Sequence, residues 1–406
     1  MNDAAATPPA DAALARLDLV RSELNAWLFA AALPTWWSMG ADLVRGGFRD
    51  ALDAQGRPAR ERSRLRVQAR QVYVYATAAR LGWDGSCRQA VQHGLDWILN
   101  RHRREDGLYR TLVSIDGDPL DETATLYDQA FVLLALASAA DFLPARKADL
   151  EEEALRLARN IHREFRHPVE GFVENESGRE FQANAQMHLF EAALTWSRVG
   201  ADPSWRSLAD ELGHLCCRRF IDPKTGALRE FFDDQWRPAP GELGKRIEPG
   251  HQFEWAWLLV QWSWLDGGEQ AVRTAERLFE VGELGVDHGR MVAQNEMSDS
   301  LEVQDASARL WPQTERVKAA HLLAEIAPTE ELRQAHIEAV NEAARGLQQY
   351  LTAAVPGLWW DVLRADGAFV EEPAPASSFY HLIGAVAELN GLRIVDRHHT
   401  AAGKGS

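Results

Sequence analysis

Gly47-Phe48-Arg49-Asp50-Ala51-Leu52-Asp53, closing at Gly56, is a glycine followed by alternating apolar and polar residues. That is the pattern of a short hairpin arm. It returns as Gly107-Leu108-Tyr109-Arg110-Thr111-Leu112 before Gly117 and as Gly171-Phe172-Val173-Glu174 before Gly178. Further copies are Gly226-Ala227-Leu228-Arg229-Glu230-Phe231-Phe232 before Trp236, a weaker Gly289-Arg290-Met291-Val292, and Gly357-Leu358-Trp359-Trp360-Asp361-Val362-Leu363 before Gly367. The copies lie roughly 55–70 residues apart, about the length of two helices with their loops.

The sequence between the arms is helical in pattern. Apolar residues recur at three- and four-residue steps over 13–32, 67–80, 87–100, 126–142, 150–165, 185–198, 205–220, 253–265, 270–279, 311–326, 330–351 and 379–390. A repeat of one arm and two helices has to bury its apolar face against its neighbours. Six such units can close into a ring of parallel inner helices with an outer layer around them. The expected fold is therefore all-α, an (α/α)6 barrel, with short β-hairpins in the loops at one end around a pocket. An open α-solenoid is the other arrangement of helical pairs, but its repeats are usually shorter and lack glycine–aromatic hairpins. The barrel predicts one catalytic domain over 14–395, between loose tails at 1–13 and 396–406.

Composition narrows the function. The formal net charge is −16, from 60 acidic and 44 basic residues, so the chain lacks the basic surface that nucleic acid or an anionic membrane attracts. No apolar run has the roughly 18 residues of a membrane span. Cys87 and the adjacent Cys216 and Cys217 offer neither metal-ligand spacing nor a disulfide framework, which fits a reducing, cytoplasmic setting. The Ala/Pro-rich start has no basic segment leading an apolar one, unlike a signal peptide. Tryptophans at 36, 37, 311, 359 and 360 stand in loops or at helix starts. Each can be a core residue, or a flat face for a sugar ring.

The candidate chemistry clusters where helices begin. Glu248-Pro249-Gly250-His251-Gln252-Phe253-Glu254-Trp255 opens a helix on which His251 and Glu254 share a face, a histidine and a carboxylate suited to proton transfer. Arg66 and Arg70 share a face in Arg64-Leu65-Arg66-Val67-Gln68-Ala69-Arg70, and an arginine in a pocket would support hydroxyls or an oxyanion. Tyr127 and Asp128 begin another helix. Asn184 and His188 stand four apart at the start of a third, polar groups for a pocket but too few for a metal site. His381 follows a Pro/Ala/Ser loop. For each residue alone the structural alternative is a capped helix or a hydrogen-bonded core side chain. In a ring of inner helices, however, such first-turn positions converge on one mouth. The chain has no dinucleotide-binding glycine motif, P-loop or nucleophile elbow. Asp121, Glu122, Asp128, Glu230 and Glu254 keep a glycosidase with paired carboxylates, or a carbohydrate-binding barrel, in play.

The motifs together resemble the N-acylglucosamine 2-epimerase family, which includes D-mannose isomerase, cellobiose 2-epimerase and sulfoquinovose isomerase. They are Arg66-Val67-Gln68-Ala69-Arg70, Leu126-Tyr127-Asp128-Gln129-Ala130-Phe131, residues 184–191, Pro249-Gly250-His251-Gln252-Phe253-Glu254-Trp255, Leu310-Trp311-Pro312-Gln313-Thr314-Glu315 and Tyr380-His381, in the family's order over nearly the whole chain. The resemblance implies a sugar isomerase or 2-epimerase that uses neither metal nor cofactor. It implies His251 and His381 as the acid/base pair, Glu254 as the group that orients or polarises the His251 region, and Arg66, Tyr127, Asn184, His188, Trp257 and Trp311 as pocket residues. Gln186 stands where relatives often carry His or Thr, a departure that bears on substrate choice. The expected partner is a small sugar, and the expected state a monomer or homodimer. The leading expectation is an aldose–ketose isomerase for D-mannose and D-fructose. The alternative is a 2-epimerase acting on mannose/glucose, N-acylglucosamine or cellobiose.

Overall fold

The structure, a computed structural model, describes residues 10–175 and 181–395. The expected tails at 1–9 and 396–406, and Gly178 at the end of the third arm, lie outside these residues. Thirteen α-helices are described: α1 (Ala10–Trp27), α2 (Leu33–Ser38), α3 (Leu65–Arg80), α4 (Cys87–Trp97), α5 (Leu126–Phe142), α6 (Lys147–Glu164), α7 (Ala183–Val199), α8 (Ser204–Leu215), α9 (Pro249–Trp262), α10 (Gly268–Glu283), α11 (Leu310–Ile326), α12 (Glu330–Tyr350) and α13 (Phe379–Leu389). Residues 10–13, expected in the tail, belong to α1. Ala13 is buried and its carbonyl accepts a hydrogen bond from Asn341 Nδ2 of α12, which fixes the start of the helix.

Helices α3, α5, α7, α9, α11 and α13 touch in that order, and α13 touches α3 again, so the inner ring is closed. Helices α4, α6, α8, α10 and α12 each pack outside the inner helix they follow. The outer partner of α13 is α1, from the other end of the chain. This is the (α/α)6 barrel. Its layers differ in sequence as burial requires. The inner helices α5, α9 and α13 are apolar nearly all round. The outer α10 buries only one stripe, Ala271, Ala275, Leu278 and Gly282, and leaves Glu269, Arg273 and Glu280 in water.

The arms are built differently from free hairpins. Gly47, Gly107, Gly171, Gly226 and Gly357 all have φ between +71° and +89°, a turn that a side chain resists. In the weaker fifth copy the left-handed residue is Met291 (φ +60°) rather than Gly289. Phe48, Tyr109, Phe172, Leu228 and Ala293, just after these turns, bridge back to the exit of the preceding outer-layer segment. Each is then gripped by a buried glutamine, the fourth residue of the inner helix that follows. Gln68 bonds the N–H and C=O of Phe48, Gln129 those of Tyr109, Gln252 those of Leu228 and Gln313 those of Ala293. Gln186 takes only the carbonyl of Phe172. A side-chain amide offers one donor and one acceptor, the complement of one backbone residue. Gln186 is therefore part of the scaffold, and the substrate-choice role expected of it is withdrawn. The ring is tied at its seam by Ala51 and Leu52, paired antiparallel with Pro375 and Ala374.

Candidate active site

The inner helices present their first turns to one end of the barrel, where they surround a cavity of about 200 Å³. Its lining follows one rule. The short turn Ala376–Ser378 leads into α13 and counts as the start of the last inner helix. The cavity is then lined by second, third and sixth residues: Tyr127, Asn184, Trp311 and Ser377; His251 and Ser378; Arg70, His188, Glu254 and His381. The two levels are about one helical turn apart. Arg309 and Glu248 complete the rim from the residues just before α11 and α9. The ninth residues, among them Tyr73, Glu191, Trp257 and Lys318, form the floor one turn deeper.

His251 and His381 share this cavity and meet the same indole. Trp311 lies 4.9 Å, ring centre to ring centre, from His251 and 5.7 Å from His381. Gly250 makes room for it: a Cβ there would stand 2.4 Å from the Trp311 ring. Each imidazole is held through Nδ1 by a buried carboxylate at 2.8 Å, Glu230 for His251 and Glu315 for His381. This arrangement turns Nε2 of each ring away from its carboxylate.

The two pairs differ in charge. Burial works against a charged His251, but Glu230 and Glu248 outweigh it and push the imidazole up to about 10. Burial, helped by Arg70 and Lys318 and opposed by Glu315, brings His381 down to about 3. At neutral pH His251 is thus an imidazolium and His381 a free base whose Nδ1–H faces Glu315. Glu315 is held down to about 2: burial would raise it, but Lys318 Nζ at 2.6 Å and His381 stabilise the anion. Glu254 goes the other way. Burial and the neighbouring Glu315 and Glu191 raise it well above the usual carboxylate range despite Lys318.

Seven of the expected site residues line the cavity: His251, His381, Glu254, Tyr127, Asn184, His188 and Trp311. Two do not. Arg66 is half-exposed and turned to Asp128 at 3.0 Å, over the Tyr127 ring. Arg70, one turn further in, is the arginine of the cavity, bound to Tyr127 Oη at 2.7 Å and to the Ser377 carbonyl at 3.1 Å. Trp257 belongs to the floor, under Lys318, and donates its N–H to Glu388. Glu254 is not the partner of the His251 ring, because Glu230 reaches Nδ1 from the preceding arm. Glu254 Oε1 lies 3.9 Å from His188 instead. Of the tryptophans read as possible sugar faces, Trp36 and Trp359 stack on each other in the core, and Trp311 alone lines this cavity.

Sequence reasoning kept Glu230 only as one of five candidate carboxylates of a glycosidase and assigned no role to Glu315 or Lys318. The available signal was positional: Glu315 occupies the same sixth place as Arg70, His188 and Glu254. Three trios have ligand atoms close enough for a cation, His188/Glu191/Glu254, Glu230/Glu248/His251 and Glu254/Glu315/His381. Three of their five carboxylates are engaged by proton donors: Glu191 by Tyr380 Oη, Glu230 by His251, and Glu315 by His381 and Lys318. The arrangement suits moving protons.

A family model described as N-acylglucosamine 2-epimerase (GlcNAc 2-epimerase) matches residues 46–385. A mannose-6-phosphate isomerase of Rhizobium meliloti (strain 1021) is 46% identical over 377 residues, 92% of this chain and 97% of the relative. A crystal structure of a D-mannose isomerase superposes with a TM-score of 0.81 at 20% identity, covering 93% of this chain and 98% of that one. The cellobiose 2-epimerase of Spirochaeta thermophila DSM 6192 gives the same TM-score, identity and coverage. At that identity the two structures speak for the fold.

Proposed function

We propose, from the premise that the chain belongs to the N-acylglucosamine 2-epimerase family, that this sugar isomerase or epimerase is an aldose–ketose isomerase interconverting D-mannose and D-fructose. The observation that carries the reading is the unequal pair of imidazoles on one cavity, His381 as free base and His251 as acid. Opposed protonation states are what acid/base work at one substrate requires.

With the sugar open, His381 Nε2 takes the proton from C2. The C–H electrons become the C1=C2 bond, and the carbonyl electrons move to O1, which His251 protonates. The now neutral His251 takes the proton from O2–H as C2=O forms, and the C1=C2 electrons take the proton back from His381 at C1, which returns both imidazoles to their starting states. The negative charge that builds on O1 before His251 protonates it is supported by Arg70, which lines the cavity, and by the inner-helix N-termini around it. Glu254, which lines the cavity, is placed to hydrogen-bond a sugar hydroxyl.

Conversion of D-mannose in heavy water should give fructose labelled at C1. Glucose labelled at C2 would make the enzyme an epimerase, a second reading favoured by the proton that His251 already carries. Exchange with no aldose would sink both. His251→Ala and His381→Ala should each lower turnover about 10²–10⁴-fold while staying folded; full activity in either removes that histidine from the mechanism.

The 46% identical relative and Arg309, which has no carboxylate partner among the described residues, favour a test of mannose 6-phosphate alongside mannose. If the phosphate sits at the rim, Arg309→Gln should raise KM for mannose 6-phosphate about tenfold and leave KM for D-mannose unchanged.

A further inference from the structure

Lys318 is a lysine inside the barrel, 2% exposed. Its Nζ lies 2.6 Å from Glu315 Oε2 and 3.7 Å above the centre of the Trp257 ring. A Cβ on Gly384 would still sit 4.0 Å from Nζ, so the α13 backbone leaves the ammonium its space. Lys318 does not line the cavity, and the mechanism above does not use it. A buried ammonium among carboxylates is expensive unless it balances charge.

The molecule contains its own comparison. His251–Glu230 and His381–Glu315 have the same Nδ1-to-oxygen distance, 2.8 Å, and both carboxylates are buried. They differ in two respects: His251 has a second carboxylate near Nδ1, Glu248 Oε2 at 3.6 Å, and the paired carboxylates differ in what lies behind them. Glu315 has Lys318. Glu230 has no cation in contact among the described residues except His251 itself, and its Oε1 has no hydrogen-bond partner. A carboxylate with no other cation draws a proton onto its histidine. One already neutralised by lysine accepts the Nδ1–H and leaves the ring uncharged.

We propose that Lys318 is the positioning residue that divides labour between the two imidazoles: by neutralising Glu315 it leaves His381 as proton acceptor, while His251, beside an uncompensated Glu230, is the donor. The proposal rests on the reading of His381 as the base. The charged and titratable groups in play around His381 are Glu315 and Lys318 from α11, Arg70 and Tyr73 from α3, His188 and Glu191 from α7, Glu254 from α9 and Tyr380 beside it on α13. Lys318 is the cation among them that is bonded to the histidine's own carboxylate.

The test removes the charge and keeps the bulk. In Lys318→Met, Glu315 is left uncompensated and His381 becomes the cation. The acid limb of kcat/KM should rise by at least one pH unit, a tenfold loss on that limb. The His381 ring, followed by ¹⁵N NMR at neutral pH, should change from the neutral Nδ1–H tautomer to imidazolium. Lys318→Met/Glu315→Gln removes both charges, which keeps the floor balanced should the single variant not fold. In it His381 should be neutral again and the limb should return toward the wild-type position. A neutral His381 and an unmoved limb in Lys318→Met overturn the proposal. So does a double variant in which His381 is charged. Neither result depends on whether His381→Ala abolishes turnover, so failure of the catalytic reading is recognised separately.

Discussion

Glu230 lies on an arm, 21 residues before the histidine it serves, and it sets the charge of one side of the cavity. Glu230→Gln should let His251 fall from about 10 toward the ordinary imidazole value of about 6.5. The alkaline limb of the rate profile should move down with it, costing about tenfold or more at pH 8. An unmoved limb would mean that Glu230 only packs. The same two histidines shape stability. A raised His251 contributes stability that is complete below about pH 6.5 and is lost as pH climbs through about 10. A depressed His381 contributes stability that is complete above about pH 6.5 and is lost as pH falls toward about 3. Urea midpoints should therefore decline on both sides of neutrality, and Glu230→Gln should flatten the alkaline side only. Both histidines were visible in the sequence because each follows a loop at a helix start. Their pairing with Glu230 and Glu315 was not. Helical spacing paired His251 with Glu254, which shares its face, but Nδ1 points back out of the helix to the arm, and no spacing rule carries contact across such a turn.

At the scale of the element, the repeat is a helix gripping the strand-like arm that precedes it. Gln129→Leu should cost about 2–5 kcal/mol, because it orphans both the N–H and the C=O of Tyr109 in the interior. Gln186→Leu, which frees only the Phe172 carbonyl, should cost about 1–3 kcal/mol. Denaturant midpoints of the two variants give the order, and equal losses would show that the second bond adds nothing. Helix positions were legible almost throughout, since burial of an inner or outer face repeats at helical steps. The expected helix at 126–142 is α5 to the residue. The arms were legible as a repeat but not as structures: their strands are two or three residues long and depend on side chains from elsewhere. The glutamine column stood in plain sight in five of the six motifs. It acquires meaning only when the units are superposed, because a fourth residue that reaches back to an earlier segment leaves no periodic trace.

The whole molecule is a ring with one seam. There α1 packs against α12 and α13, Trp36 stacks on Trp359 at 4.8 Å, and the Trp36 indole N–H bonds the Gly357 carbonyl. Trp36→Ala should cost about 3–5 kcal/mol and open the ring where its two ends meet, so thermal melting should lose cooperativity as well as midpoint. Closure itself could be inferred from the count of units. The choice of partner across the seam could not, since pairing between residues more than 300 apart carries no local pattern.

That seam bears on how the protein is made. The outer half of the last unit, α1, is made before its inner partner, α13, with eleven of the described α-helices between them. Leu17, Val20, Leu24 and Leu28 therefore have no lasting cover during synthesis until α12 and then α13 are made. His381 arrives on that same closing helix. His251 is made on α9 and the second imidazole joins it only as the circle shuts, so sugar chemistry begins when assembly ends.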